Sequence, residues 1–313
     1  MIEGNFVIKD NMNFKEIINI ENKKIGKNNP CLIIAEAGIS HFGDIKIARD
    51  LVDMAVDSGA DIFKTQIFDV DALISKNANE WKDRLRPRNL NFDQILEIKD
   101  RCKEKGIIFL TTAHDESRIE WLKKLDVSAI KIGSGEKNNL DFIKSIASLG
   151  KPLIISTGMS DNDDVKSIMS SCLEVNCNEI ALLHCVTSYP APIEQINLSA
   201  MYDMKKYFNG PIGYSDHSID GMAILAAVAM GAKIVERHIT IHKNIPNAQD
   251  WKVSHTPYDF PDFIKQIRSI EKMIGDGIKR SVLCEENAKN WALKSLVCSK
   301  DLGKGKIITD QDI

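Results

Sequence analysis

The chain has 313 residues, enough for one large α/β barrel with something small appended, and it is 43% hydrophobic and 27% charged, the proportions of a globular protein with a sizeable core. Its 41 basic and 44 acidic residues give a net charge of −3, which excludes a basic surface for nucleic acid or for an anionic membrane. A small anionic substrate would have to be gathered by local cations.

The first 30 residues open on MIEGNFVIKDNMNFKEI, mixed polar and acidic where a signal peptide is basic and then apolar. They also carry ENKKIGKNNP, an extended or hairpin lead-in. No apolar run approaches the roughly 20 residues that span a bilayer. The seven cysteines (Cys31, Cys102, Cys172, Cys177, Cys185, Cys284 and Cys298) are odd in number and form no CxxC pair. That spacing argues against a disulfide framework or a thiolate zinc site and for a reduced, cytoplasmic protein.

From residue 31 short β-branched runs alternate with amphipathic stretches. The strand candidates are 31–38, 61–68, 107–114, 129–134, 152–157, 180–186, 211–216 and 234–240. Apolar runs of this length without strict alternation suit parallel strands covered on both faces. Between them, IARDLVDMAVDSG places Ile47, Leu51, Met54 and Ala55 on one side of a helix that Gly59 stops. DFPDFIKQIRSIEKMIG likewise lines up Phe263, Ile267, Ile270 and Ile274. Eight strands alternating with helices, and no GxGxxG after the first, predict a closed (β/α)8 TIM barrel over residues 31–280. Residues 281–313 contain LKSLVCSKDLGKGKIITDQDI, which reads as strand, turn and strand, the opening of a small β domain.

Active sites of such barrels lie at the carboxyl ends of the strands, and every strand here delivers polar groups to that end. In chain order these are Glu36 running into His41; Lys64 and Gln66; Thr111, Thr112 and His114; and Lys131 and Ser134 with Glu136 beyond. Then come Ser156 and Thr157; His184, Thr187, Ser188 and Tyr189; Ser215, Asp216 and His217; and Glu236 and His238. Two lysines among hydroxyls and glycine-bearing loops favour a phosphate or carboxylate site, although one lysine could simply pair with Glu36. His217 and His238 end adjacent strands. With Glu36 or Asp216 nearby they suit a divalent metal, while each alone suits a core histidine bonded to a carbonyl.

The stretches IIAEAGISHFGD, ADIFKTQIF, IKIGSGEKNNLDFIKSIASLGKPLIISTGMS, LLHCVTSYPAPIEQINL, GYSDHSIDG and GAKIVERHIT resemble, in order, the N-acetylneuraminate (sialic acid) synthase family, which includes legionaminic and pseudaminic acid synthases. The resemblance covers roughly residues 31–275, and the ending resembles the start of that family's antifreeze-like (SAF) domain. It implies a transferase that condenses phosphoenolpyruvate with an N-acyl-mannosamine-type or related amino sugar and releases phosphate. Lys64, Thr112, Lys131, Ser134, Ser156 and Ser215 match positions that hold phosphoenolpyruvate, and Glu36 matches the glutamate near the reacting carbons. Gln66, Glu136 and Tyr189 match positions around the sugar, Thr187 stands where an asparagine or serine contacts it, and Asp250 stands in for an aspartate there. His217 and His238 match the ligands of a divalent metal, manganese or in its place Mg2+ or Co2+. A homodimer is implied, in which the C-terminal domain lends an arginine to the partner subunit's sugar site.

Four departures lie on the sugar side: Ser40-His41-Phe42-Gly43, Ala113-His114, Thr187, and Asn247-Ala248-Gln249-Asp250-Trp251. They leave the acceptor open. Two other readings compete. A synthase acting on a sugar phosphate would need a second cationic cluster, and the sequence displays no spare Arg or Lys group there. A non-catalytic barrel module would have no need of the paired histidines. Blander expectations hold elsewhere: Cys185 as a buried small hydrophobe, Trp121 as packing with Ile119 and Leu122, His242 and His255 as loop residues, His255 within reach of substrate.

Overall fold

A computed structural model of the chain describes residues 13–245 and 250–313. Eight parallel strands close on themselves: β3 (Leu32–Gly38), β4 (Ile62–Ile67), β5 (Ile108–Ala113), β6 (Ile130–Ile132), β7 (Leu153–Ser156), β8 (Ile180–Cys185), β9 (Ile212–Asp216) and β10 (Ile234–Ile239), with β10 pairing both β9 and β3. They fall within the eight expected runs. Ahead of them β1 (Ile17–Ile20) and β2 (Lys23–Gly26) form an antiparallel hairpin, and after them β11 (Ser254–His255) adds to β10.

The period of two along each strand sorts side chains into two cores. Leu32, Ile34, Ile62, Ile108, Leu110, Ala129, Ile154, Ala181, Leu183 and Ile234 point inward, and Ile18, Ile20 and Ile25 of the hairpin pack with them. The hairpin thus stoppers one end of the barrel. Fully burying side chains of this size stabilises by about 1.5–3 kcal/mol each, so a charge at Ile25 would open the floor. The opposite parity, Ile33, Ala35, Phe63, Phe109, Ile132, Ile155, Leu182 and Val235, packs against the surrounding helices.

The helices follow the sequence logic. Ile45–Ser58 starts where the Asp44 side chain accepts from the N–H groups of Lys46 and Ile47, and it stops at Gly59, whose φ of 85° is left-handed. It buries Ala48, Leu51, Val52, Met54 and Ala55. Phe260–Ile274 buries Phe260, Phe263, Ile264 and Ile267, while Ile274, expected on that stripe, is exposed. Trp121 packs edge-on against Phe92 at 5.4 Å and lies under Arg118. Among the described residues no helix is long and apolar enough to cross a membrane.

The chain divides into two compact units, one to Met273 and one from Ile274 to Ile313. The second differs from expectation. It holds a helix at Glu286–Ala292 and single 3-10 turns, and the two strands read in its sequence do not form. A strand pattern needs a partner ladder and a face to bury it, and Leu296, Val297 and Ile307 are all more than two-thirds exposed.

Candidate active site

Above the inward apolar layer the same parity changes chemistry. Glu36 follows Leu32 and Ile34; Lys64 and Gln66 follow Ile62; Thr112 follows Leu110; Lys131 follows Ala129. Ser156, Cys185, Ser215, Glu236 and His238 continue the layer on their own strands, and all of these side chains line one cavity of about 170 Å3 at the carboxyl ends. That is the space of about six waters, at roughly 30 Å3 each. Ser134, Thr187, Tyr189, His217 and His114 border it from the loops that follow the strands.

One side is a buried charge cluster. Lys64 Nζ lies 2.8 Å from Glu36 and 3.2 Å from Glu236, and donates to Thr112 Oγ1 at 3.2 Å. Lys131 Nζ donates to Ser156 Oγ at 2.6 Å and stands 3.4 Å from Glu236. Burial acts to lower the Lys64 ammonium, but Glu236 and Glu36 outweigh it and raise it, so Lys64 stays charged. Burial also acts to raise the Glu236 carboxyl, which Lys131, Lys64 and His238 nevertheless hold at about 2. For Glu36 burial prevails over Lys64, and the carboxyl rises to about 7. It can hold or release a proton near neutrality. The Oε2 atoms of Glu36 and Glu236 are buried and make no aligned hydrogen bond, so their ion pairs leave acceptor capacity open.

Beside the lysines, Ser134 Oγ accepts from the Gly158 N–H at 3.0 Å and touches Cys185 Sγ at 3.1 Å. Gly158 is required here. A Cβ at that position would sit 2.2 Å from Thr187 Oγ1 and 2.8 Å from both Cys185 Sγ and Ser134 Oγ. Two ammonium groups, four hydroxyls (Thr112, Ser134, Ser156 and Ser215) and a tight glycine loop form a cradle for a small dianion.

The opposite side holds two imidazoles with ring centres 5.6 Å apart. His217 Nδ1 donates to the Val186 carbonyl at 2.7 Å, which leaves its Nε2 bare to accept from the Tyr189 hydroxyl at 2.9 Å. His238 Nδ1 is buried without a hydrogen-bond partner. Burial lowers both imidazoles, His238 well below the ordinary value, so both keep lone pairs at neutral pH. Asp216, paired with them in the sequence reading, points away. Its parity turns it outward, onto Arg237 at 2.7 Å. Among the described residues no three His, Cys, Asp or Glu side chains converge as a ligand group.

On the remaining wall Gln66 Nε2 donates to Glu36 Oε1 at 3.1 Å. A Cβ on Gly38 would lie 3.4 Å from Glu36 Oε1, 3.5 Å from Asp250 Oδ2 and 3.7 Å from Gln66 Nε2, which brings Asp250 to the edge of the site. Burial raises the Asp250 carboxyl against the pull of Arg88 and Lys64. Arg88, set over the Phe42 ring at 5.4 Å, is therefore a cation on this side that the sequence reading did not find. Glu136 stands outside the cavity wall, half-buried, its carboxylate accepting from Asn139 at 3.2 Å. Asn247, Ala248 and Gln249 lie outside the described residues.

Sequence reasoning set Glu236 at the strand end without a role and dismissed Cys185, yet both line the cavity. Their inward parity, shared with His238 and Leu183, was the available signal. His184 belongs to the other parity and bonds the Ile196 carbonyl at 2.7 Å. His255 is no loop residue: it is buried on β11, accepts from Arg237 Nε at 2.9 Å and stacks on Phe263 at 4.3 Å.

A family profile described as the NeuB family matches residues 51–279. The N,N'-diacetyllegionaminic acid synthase of Campylobacter jejuni is 38% identical over 90% of this chain and 89% of its own. The N-acetylneuraminate-9-phosphate synthase of Homo sapiens is 33% identical over 91% and 82%. The crystal structure of an N-acetylneuraminic acid (sialic acid) synthetase from Leptospira borgpetersenii in complex with citrate superposes with a TM-score of 0.82 at 32% identity, covering 89% of this chain and 98% of that one.

Proposed function

The chain belongs to the NeuB family, and on that premise we propose that it condenses phosphoenolpyruvate with an N-acylated amino sugar to give a sialic-acid-like 2-keto-3-deoxy acid and inorganic phosphate. The observation that carries this reading is the pairing of an anion cradle with neutral imidazoles across one small cavity. Lys64 and Lys131, with the hydroxyls of Thr112, Ser134, Ser156 and Ser215, would hold the carboxylate and phosphate of phosphoenolpyruvate. His217 and His238 would hold a divalent cation, Mn2+ or in its place Mg2+ or Co2+. The unprotonated His217 Nε2, which accepts from Tyr189, and the orphaned His238 Nδ1 suit that role. Such a cation supplies Lewis-acid polarisation of a carbonyl oxygen.

The chemistry then falls to this chain's own groups. The C3 carbon of phosphoenolpyruvate forms a bond to the aldehyde carbon of the open-chain sugar, whose oxygen becomes a hydroxyl by taking a proton. Water adds at C2, and the C2–O bond to phosphate breaks to leave the ketone. Glu36, with its carboxyl near 7, is placed to take the proton of that water or to supply the one the new hydroxyl needs. Lys64 and Lys131 compensate the charge that collects on the departing phosphate. Gln66, Tyr189, Thr187 and Asp250 border the acceptor side, with Glu136 farther out. The reading extends to a homodimer, supported by the exposed Ile193, Ile219, Met222 and Tyr258 in the segments that follow β8, β9 and β11.

Phosphate release from phosphoenolpyruvate, with Mn2+ and a panel of N-acylated sugars and sugar phosphates, tests the reading. Release that needs both a metal and one N-acylated sugar supports it. Release with a sugar phosphate alone would favour the neighbouring reaction, with Arg88 as the cation on that side.

A further inference from the structure

The largest fully buried side chain among the described residues is Arg237, a neighbour of both Glu236 and His238 on β10. Its parity sends it away from the cavity, yet every bond it makes returns to segments that carry site residues. Nη1 donates to Asp216 Oδ2 at 2.7 Å and to the Ser218 carbonyl at 2.7 Å, and Nη2 donates to the Ile219 carbonyl at 2.8 Å. Asp216 in turn accepts from the Ser218 N–H and the Ser218 hydroxyl, each at 2.9 Å, and from the Tyr214 hydroxyl at 3.2 Å. His217 lies between the two residues so fastened. Arg237 and Asp216 are also register partners across β10 and β9. Nε completes the set by donating to His255 on β11, whose neighbour Ser254 bonds the Asp250 carbonyl at 2.6 Å.

We propose that Arg237 and Asp216 form a positioning clasp that fixes the separation of His217 and His238 and so sets the affinity of the protein for a divalent cation. This rests on the metal reading above. A single guanidinium spends its planar fork on one carboxylate and two carbonyls of the His217 turn, while its own backbone sets His238. Lysine keeps the charge but cannot reproduce that fork. Neither residue touches the cavity, so the clasp acts through the imidazoles, as partners behind metal ligands do when they fix ring orientation.

The test is a Mn2+ titration of the metal-free protein, followed by the electron paramagnetic resonance signal of free aqueous Mn2+. Wild type, Arg237→Lys, Asp216→Asn and Ser218→Ala are compared, each with a thermal melt in the absence of metal. The expected result is a roughly 10- to 100-fold loss of Mn2+ affinity for Arg237→Lys and Asp216→Asn. Phosphoenolpyruvate binding to the metal-free protein should be unchanged, since Lys64 and Lys131 are untouched. Ser218→Ala leaves no buried charge unpaired and folds even where the others do not; its expected loss is roughly two- to fivefold. Folded variants, Ser218→Ala among them, that bind Mn2+ as tightly as wild type would overturn the clasp while leaving the metal reading intact. Wild-type protein that binds no Mn2+ would overturn both.

Discussion

Glu236 sits between two ammonium groups, 3.2 Å from Lys64 and 3.4 Å from Lys131, with all three side chains buried. Replacing it by Gln keeps the shape and removes the charge. Lys64 retains Glu36 at 2.8 Å, whereas Lys131 loses its carboxylate partner. Breaking a buried pair by removing one member costs about 3–5 kcal/mol. The retained Glu36 and the shape-conserving amide put this case at the low end, about 3 kcal/mol, or a fall in Tm of roughly 5 °C for a barrel of this size. The same change should tighten anion binding, because the site then holds two cations with less compensation. We expect the Kd for inorganic phosphate to fall about tenfold, equivalent to about 1.4 kcal/mol. Thermal melts of wild type and Glu236→Gln across a phosphate series measure both quantities. A variant that melts with wild type, or that binds phosphate more weakly, would refute the view that Glu236 stands in for the substrate's charge.

Three further outcomes follow from the same geometry. Glu36→Gln should lower turnover by about 10²–10⁴-fold while the KM for phosphoenolpyruvate moves little, as measured by initial rates of phosphate release. Gly158→Ala drives a methyl group into Thr187, Cys185 and Ser134, so it should cost about 1–3 kcal/mol and raise the KM for phosphoenolpyruvate at least about tenfold, with part of the loss recovered when Thr187→Ala is added. Burial holds His41, His114 and His255 down to about 4, with Lys64 and Lys131 adding to the effect at His114 and Arg237 at His255. Between pH 6.5 and 4 the unfolded chain binds protons that the folded chain refuses. The histidines' contribution to stability is therefore whole above pH 6.5, is lost as pH falls toward 4, and levels below that, with Glu36, raised to about 7, opposing them above pH 4.5. The slope is at most about 1.4 kcal/mol per pH unit for each histidine. Denaturant melts at pH 7, 5.5 and 4.5 should show the decline, and equal midpoints would contradict it.

The barrel was legible because each parallel strand is a β-branched run followed by polar residues, and the change in chemistry along the strand marks the carboxyl end. Lys64, Lys131, Glu36, His217 and His238 were readable as strand-end groups for that reason. Less legible was which face of the strand each polar residue takes. Asp216 and His184 lie beside cavity-lining residues, but their parity points them to the helix layer, while Glu236 and Cys185 have the inward parity, the first read without a role and the second set aside. His255 sits on a strand of two residues, too short to leave any periodic signal, and its environment is made by Arg237 and Phe263 from distant segments. Residues 293–313 read as two strands by composition, yet a ladder is a property of two segments and not of one, and none forms there.

The most direct test of the central claim is carbon-13 NMR of labelled phosphoenolpyruvate incubated with the protein, Mn2+ and an N-acylated hexosamine. The account predicts that the vinyl methylene signal is replaced by a saturated methylene coupled to a new carbinol carbon, in step with one phosphate released per bond formed. Phosphate accompanied by pyruvate, with no carbon–carbon bond to the sugar, would contradict it.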